Sequence, residues 1–468
     1  MGEAEPNPDC PGCRTLLKRV EKLEQELERQ RALLRRNSSN TSRPPSSDPP
    51  WAKPKGKPKR RGKSEGSSKR SRGGQPGHTK ETRELLPPDE VDQTHCCKPT
   101  VCDDCGAPLE GHDPDPLRHQ VTEIPPIRPE VTEWRLHSLL CGACGASTRA
   151  TLPEGVPHGA FGPRLHSLAV LLTGAYRISR RNVCQLMSDC FGVDISLGAL
   201  SNLEEKTTEA LEAPFEQVLE HIRAQPVVHP DETGWREAGK KSWLWTVVSK
   251  VATVFLIRPS RGSEVAKELL GEGFAGTAVS DRWSGYSWLD IKRRQLCWAH
   301  LIRDFRKIAE SGGVAAQIIG ESLESCADKL FEHWHRVRDG TLSRSTFRRH
   351  ASRIRKSVIR LLEQGAELSC WRAPGLCRGI LAVEPAMWTF VREEGVEPTN
   401  NAAERAIRPA VIWRKTSLGT QSRRGSQFVE RMLTCVCTLR QQGRNVLEYM
   451  TKTCEAAYQG TSGPTLIA

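Results

Sequence analysis

The sequence predicts a multidomain chain organised around an α/β core. Three observations carry this. Short β-rich runs alternate with turns and helices between about 226 and 310, a mostly helical stretch interrupts the pattern over 311–395, and cysteine pairs, capped helices and a low-complexity tract precede it. A chain of 468 residues has room for several domains. Its formal net charge of +13 and pI near 9.1 suit a polyanionic partner. The start, Met1-Gly2-Glu3-Ala4-Glu5-Pro6, has neither the basic nor the apolar region of a secretory signal. The longest apolar stretches, near Leu168 and Val251, are too short to cross a bilayer, so no membrane partner is expected. Seventeen cysteines, several in Cys-x-x-Cys pairs, point to zinc and free thiols in a reducing cytoplasm.

In chain order, residues 1–36 carry Leu16, Val20, Leu23, Leu27 and Leu34 at alternating spacings of four and three, with Gln30 breaking the row. This predicts about three heptads of coiled coil and hence self-association; a lone amphipathic helix is the alternative. Residues 37–94 read as a basic linker rich in Pro, Ser and Gly. Between Arg43 and Arg72, eleven Lys or Arg, among them Lys59, Arg60 and Arg61, face two acids, Asp48 and Glu65. Such a run contacts phosphates without reading bases. Residues 95–158 contain Cys102-Asp103-Asp104-Cys105-Gly106 and Cys141-Gly142-Ala143-Cys144-Gly145. Each Gly permits the tight turn of a knuckle, and the spacing predicts that Cys102, Cys105, Cys141 and Cys144 form a tetrahedral, structural Zn²⁺ site. Cys10-x-x-Cys13 is a further half-motif, with Cys96 and Cys97 as candidate partners.

Residues 159–225 read as helical. Ser179 caps a helix with Val183, Leu186, Met187 and Cys190 on one face; Gly192 breaks it, and Ser196 caps a second helix from Leu197. Helix, turn and helix is compatible with a helix-turn-helix that binds DNA, and equally with an ordinary helical hairpin. The core begins at 226. Val227-Val228 leads into Asp231, and Trp243–Ser249 and Thr253–Ile257 are β-rich. A helix over Ser263–Leu270 takes Ser263 as its cap. Thr277-Ala278-Val279 forms a fourth strand ending at Asp281, Arg294–Trp298 a fifth, and Ala299–Glu310 a helix. That is the ribonuclease H-like order, with Asp231 on the first strand and Asp281 after the fourth. The 85 residues of 311–395 form an all-helical insertion whose Trp334, Trp371 and Trp388 are expected in its core. Residues 396–468 return to the core with C-terminal helices, one of them amphipathic through Val429, Met432, Leu433 and Val436 and closing at Gly443.

Three carboxylates stand in unusual settings: His229-Pro230-Asp231-Glu232-Thr233-Gly234-Trp235, Ser280-Asp281-Arg282-Trp283-Ser284-Gly285-Tyr286, and Pro398-Thr399-Asn400-Asn401 through Glu404-Arg405. Each has a structural alternative. Asp231 suits a turn, Asp281 a strand exit, and Glu404 a capping box behind Asn401 as helix cap. Brought together, they suit two hard divalent ions about 3.5–4 Å apart, which can activate an attacking oxygen and stabilise a leaving one on a DNA phosphodiester. Cys297-x-x-His300 could be half of a zinc site, but no second pair lies nearby in sequence. Arg405, Arg408, Arg414 and Lys415 follow Glu404 as contacts to DNA phosphates, or as a solvated helix face.

Over almost its whole length the chain resembles transposases of insertion-sequence family 66. The resemblance rests on Asp231-Glu232-Thr233-Gly234-Trp235, Asp281 through Gly285-Tyr286, Cys297-Trp298-Ala299-His300, Thr399-Asn400-Asn401 through Glu404-Arg405, Arg414-Lys415 and Gln441-Gln442-Gly443-Arg444-Asn445. Arg282-Trp283 stands after the second Asp, where many members carry Gly or Tyr. The resemblance implies a catalytic triad of Asp231, Asp281 and Glu404 holding two Mg²⁺ (or Mn²⁺) ions. It also identifies Cys297-x-x-His300 with a signature that follows the second Asp in several transposase groups; His300 is a candidate for active-site support, with packing of a small buried Cys297 and a helix-start His300 as the alternative. The resemblance further implies a zinc segment at the cysteine pairs. The expected activity is cleavage at the ends of a mobile element and transfer of the strand to target DNA, in the cytoplasm at the nucleoid. The expected partners are double-stranded DNA, further copies of the chain, and accessory proteins of the same element. A catalytically silent DNA-binding regulator and a structure-specific nuclease are the alternatives.

Overall fold

The computed structural model describes residues 84–467. The expected coiled coil, Cys10 and Cys13, and the basic tract with Lys59, Arg60 and Arg61 lie outside the described residues. Those described fall into two units, 84–129 and 130–467. The first has little regular secondary structure, with the Arg118 and Gln120 side chains bonded to the backbone of Leu86. Its knuckle closes with the Cys102 N–H donating to the Ala107 carbonyl and the Gly106 N–H to the Cys102 carbonyl, both at 2.9 Å. In the second unit the turn joining β1 (Ser138–Leu140) to β2 (Ser147–Arg149) repeats this pattern, with Cys141 N–H to Ala146 and Gly145 N–H to Cys141 at 2.8 Å. Gly106 and Gly145 sit at φ 71° and 72°, a left-handed conformation that only glycine adopts without cost.

Four helices follow: α1 (Pro163–Gly174), α2 (Arg180–Phe191), α3 (Leu197–Ala210) and α4 (Glu212–Arg223). Both serine caps form as expected. Ser179 Oγ accepts from the Asn182 N–H at 3.2 Å and Ser196 Oγ from the Ala199 N–H at 3.1 Å. Gly192 ends α2 in the left-handed region. Val183 and Met187 are buried and Leu186 half-buried, but Cys190, in the last turn of α2, is exposed and not part of the packed face. The buried His166 of α1 bonds the Leu203 carbonyl and Thr207 Oγ1 of α3, both at 2.8 Å, fixing those helices to each other.

A five-stranded sheet forms next: β3 (Val227–Glu237), β4 (Lys240–Val248), β5 (Thr253–Arg258), β6 (Thr277–Ser280) and β7 (Arg294–Leu296). Its order is β5-β4-β3-β6-β7, with β3, β4 and β5 antiparallel and β6 and β7 parallel to β3. Along β5, Val254 and Leu256 enter one core while Phe255 and Ile257 enter another, the two-residue alternation of a strand covered on both faces. The intervening α5 (Ser263–Leu270) is capped by Gly262 and not by Ser263, which is its first helical residue and makes no side-chain cap.

After β7 come α6 (Trp298–Ala309), α7 (Val314–Arg338), α8 (Arg344–Ala366), α9 (Ala373–Leu381) and the short α10 (Thr389–Arg392). Trp298, expected at the end of the fifth strand, instead opens α6. Trp298, Leu301, Phe305 and Ile308 recur at helical spacing and share one core with Trp334, Phe347, Trp388 and Phe390. Trp371 does not join them. It lies in the loop between α8 and α9 and is 92% exposed, so expecting it in the core was wrong.

The chain returns through α11 (Asn401–Ser417), α12 (Arg423–Gln441) and α13 (Val446–Gln459). Val429, Met432, Leu433 and Val436 are all buried on α12. This helix also closes the sheet edge. Glu430, Thr434 and Thr438 accept the backbone N–H groups of Ile257, Phe255 and Thr253 at 2.7, 3.0 and 3.1 Å. Helical i, i+4 spacing thus meets the alternate outward N–H groups of an edge strand and occupies what would otherwise be a template for pairing. Among the described residues, no helix is long and apolar enough to cross a membrane.

Candidate active site

The three predicted carboxylates arrive from three elements. β3 and β6 pair in parallel with Val227 opposite Thr277 and Val228 opposite Ala278. Asp231 lies further along β3, Asp281 follows the last residue of β6, and the two are close enough for the Asp281 charge to act on Asp231. Glu404 lies in the first turn of α11. The segment leading into that helix is laced onto the other two. The Trp298 N–H donates to the Pro398 carbonyl (2.9 Å), the Cys297 N–H to the Ser280 carbonyl (2.7 Å), and the Asn400 N–H to Cys297 Sγ (3.2 Å). The Asn400 side chain then donates through Nδ2 to the Pro230 carbonyl (2.8 Å) and meets His229 Nδ1 through Oδ1 (3.2 Å). A single 2%-exposed asparagine therefore joins the residues immediately before Asp231 and, through Cys297, Asp281.

This geometry removes the capping alternative for Glu404. Asn401, expected as the cap, is the first helical residue; Asn400 occupies the cap position, yet its side chain makes no capping bond because it is engaged with β3. The Glu404 side chain is 43% exposed, and its Oε1 lies 3.8 Å from Arg303 Nη2.

Asp231 carries the electrostatic stress. Burial foremost, then the charges of Glu232, Asp281 and Glu404, push its pKa from 3.8 to about 8, against one backbone N–H from Glu232 at 2.9 Å. Asp281 accepts the Trp283 N–H at 3.0 Å. Carboxylates gathered around a desolvated acid are the kind of donor set that a hard divalent ion takes, since such an ion relieves the strain of like charge.

Several further residues surround the three acids. Glu232 is held by Arg261 (2.5 Å) and by the Tyr286 hydroxyl (3.0 Å), and burial raises its pKa. The Arg261 guanidinium lies 4.9 Å from the Trp243 ring and 4.6 Å from Trp283. Trp283 in turn lies over Gly285, where a Cβ would fall 1.8 Å from the indole, so that motif glycine is a matter of space. Glu232 and Tyr286 could have been noticed beside the flagged aspartates; nothing in the sequence singles out Arg261 or Arg303. Arg282 reaches Asp304 of α6 at 3.2 Å, tying the loop after Asp281 to that helix.

His300, in the first turn of α6, has its Nδ1 buried without a hydrogen-bond partner among the described residues. One ligand atom each from Cys297, His300 and Glu404 lie within 4.8 Å of one another. Burial raises the Cys297 pKa and lowers that of His300. Arg405, Arg408 and Lys415 are exposed along α11. Arg414 differs from the expected phosphate contact: its Nη1 donates to Thr233 Oγ1 at 3.2 Å and to the Gly234 carbonyl, fastening α11 to β3. At the knuckles, backbone N–H groups of Cys105 and Asp104 hold the Cys102 thiol below its usual range, and those of Cys144 and Ala143 do the same for Cys141. Cys102 and Cys105 belong to one unit, Cys141 and Cys144 to the other.

Residues 158–428, which contain all three carboxylates, match the family described as Transposase IS66 family. Residues 12–84 match a family of unknown function, DUF6444. Two curated relatives from Sinorhizobium fredii (strain NBRC 101917 / NGR234) are similar. Uncharacterized protein y4hP is 26% identical over 397 residues, 75% of this chain and 70% of the relative. Uncharacterized protein y4qI is 25% identical over 302 residues, 58% of this chain and 54% of the relative. With a family match spanning more than half of its length, the chain belongs to the IS66 family of transposases.

Proposed function

We propose that this transposase cuts and joins DNA with Asp231, Asp281 and Glu404 as ligands of two Mg²⁺ or Mn²⁺ ions on a ribonuclease H-like core. The observation that carries the reading is that the charges of Asp281, at the exit of β6, and of Glu404 act on Asp231 of the neighbouring β3, with Asn400 tying the Glu404 helix to the residues before both aspartates. The strand order β5-β4-β3-β6-β7 agrees with the expected fold. When bound, the ions would polarise the attacking oxygen and stabilise the leaving one. The chain's own part is to hold three carboxylates in fixed relation and to limit their repulsion, with Arg261 offsetting Glu232. Water would open the P–O3′ bond at the element's end, and the freed 3′-hydroxyl would displace a 3′-oxygen in the target strand. Neither step needs a covalent enzyme intermediate.

The surroundings supply the rest of the proposal. Arg405, Arg408 and Lys415 line the exposed side of the Glu404 helix and would contact DNA phosphates, joined by the basic tract with Lys59, Arg60 and Arg61. The α2–α3 hairpin is the candidate helix-turn-helix. Cys102, Cys105, Cys141 and Cys144 are the candidate structural zinc ligands; the matching turns and lowered Cys102 and Cys141 thiols support metal binding at each pair. The N-terminal heptads would pair copies of the chain, and the whole would act on DNA in the cytoplasm. The test supplies DNA bearing candidate element ends together with Mg²⁺. The account predicts both cleaved ends and joined product; cleavage without joining would make the protein a nuclease, and intact DNA with bound protein would make it a regulator.

A further inference from the structure

A second donor set abuts the proposed triad. Cys297 is the residue before α6, His300 lies in that helix's first turn, and Glu404 comes from α11 more than a hundred positions later. One ligand atom from each lies within 4.8 Å of the other two. The sequence offered Cys297-x-x-His300 as half a metal site without its complement; the fold supplies a carboxylate.

We propose that Cys297, His300 and Glu404 form a site for a borderline transition-metal ion of the Zn²⁺ or Co²⁺ class, separate from the hard-ion pair but sharing Glu404 with it. Three features support this beyond proximity. First, the His300 Nδ1 is buried with no hydrogen-bond partner among the described residues, a cost that native structures rarely leave unexplained. Second, Cys297 Sγ accepts the Asn400 N–H at 3.2 Å, the kind of outer bond that orients a thiolate ligand. Third, the donor chemistry selects the ion: a thiolate and an imidazole suit zinc-like metals, whereas Mg²⁺ prefers oxygen. Tetrahedral bond lengths of about 2.0–2.3 Å place neighbouring ligand atoms roughly 3.5 Å apart. Cys297 is buried and tied by its backbone, so the closing movement falls to Glu404, whose side chain is 43% exposed and held by a 3.8 Å ion pair with Arg303. A bound ion would take over the carboxylate from Arg303. Three protein ligands leave a fourth position for water. Because Glu404 is shared, occupation of this site would compete with, or position, the third acid of the triad.

The test counts metal without using activity. Full-length protein stripped by a chelator is titrated with Co²⁺, following the near-ultraviolet band of cobalt–thiolate bonding, beside Cys297→Ala, His300→Ala and Glu404→Gln. The wild type should bind one more tight equivalent than the Cys297→Ala and His300→Ala proteins, and Glu404→Gln should bind that equivalent at least tenfold more weakly. Asp231→Asn should retain it, so failure of the triad reading leaves this count unchanged, and Cys102→Ser should lose a different equivalent. Thermal unfolding of each variant identifies those that fold; if Cys297→Ala does not, His300→Ala carries the comparison. Equal Co²⁺ stoichiometry and affinity in wild type and His300→Ala would overturn the proposal.

Discussion

Asp231 concentrates at one residue the conflict that the fold builds into its site. Its carboxyl is buried among Glu232, Asp281 and Glu404, and its pKa is about 8 in place of 3.8. A raised acid favours the folded state while protonated. Its contribution to the metal-free protein is therefore most favourable below about pH 4, declines as pH rises, and reaches its full penalty above about 8, at about 1.4 kcal/mol for every tenfold gain in proton affinity. In chelator, Asp231→Asn should raise the melting temperature at pH 8 and leave it nearly unchanged at pH 4. Divalent ions should narrow the difference at pH 8 by stabilising the wild type. A variant no more stable than wild type at pH 8 would mean that Asp231 is already compensated. The residue-scale features legible in sequence were those whose neighbours are local: the two serine caps, and the acids set in motifs. Asn400 was visible only as part of a motif, because its partners, His229, Pro230 and Cys297, are 171, 170 and 103 positions away.

Among elements, the contact between α12 and β5 shows why a helix with no chemistry matters to the sheet that carries it. Glu430, Thr434 and Thr438 cap three edge N–H groups, and Glu430 is itself held by Arg423 at 2.8 Å. The apolar face of α12 was readable from its periodicity, whereas this polar stripe was not, since Thr at helical spacing reads equally as solvated surface. Thr434→Val keeps shape and removes the acceptor, stranding the buried Phe255 N–H. The expected loss is about 1–3 kcal/mol by denaturant unfolding, against a small change for Thr416→Val on the exposed end of α11. Equal losses would contradict the edge-capping role. Most strands and helices of the core were legible within a few residues, because their hydrophobic alternation is local; β3 was not, since only Val227-Val228 signalled a strand that runs through the polar motif to Glu237. Trp371 was misplaced for the converse reason: an aromatic in a helical stretch looks like core until the loop between α8 and α9 is seen to carry it outward.

For the whole molecule, the proposed function divides phosphate binding and catalysis between segments. The tract from Arg43 to Arg72 holds eleven cations against two acids, and each phosphate contact adds close to one unit to the slope of log affinity against log salt. Deleting residues 43–72 should flatten that slope and weaken binding to all DNA sequences about equally while preserving preference for element ends. Loss of end preference with an unchanged slope would make the tract a reader of sequence.

In the proposed function, three acids from β3, the end of β6 and α11 form one metal-dependent cutting centre. Strand cleavage of element-end DNA in Mg²⁺, measured beside DNA binding for Asp231→Asn, Asp281→Asn and Glu404→Gln, tests it most directly. Each variant should lose cleavage by at least a thousandfold, about 4 kcal/mol of transition-state stabilisation, while binding DNA within a few fold of wild type. Robust cleavage by any one of the three, and by Glu404→Gln above all, would contradict it.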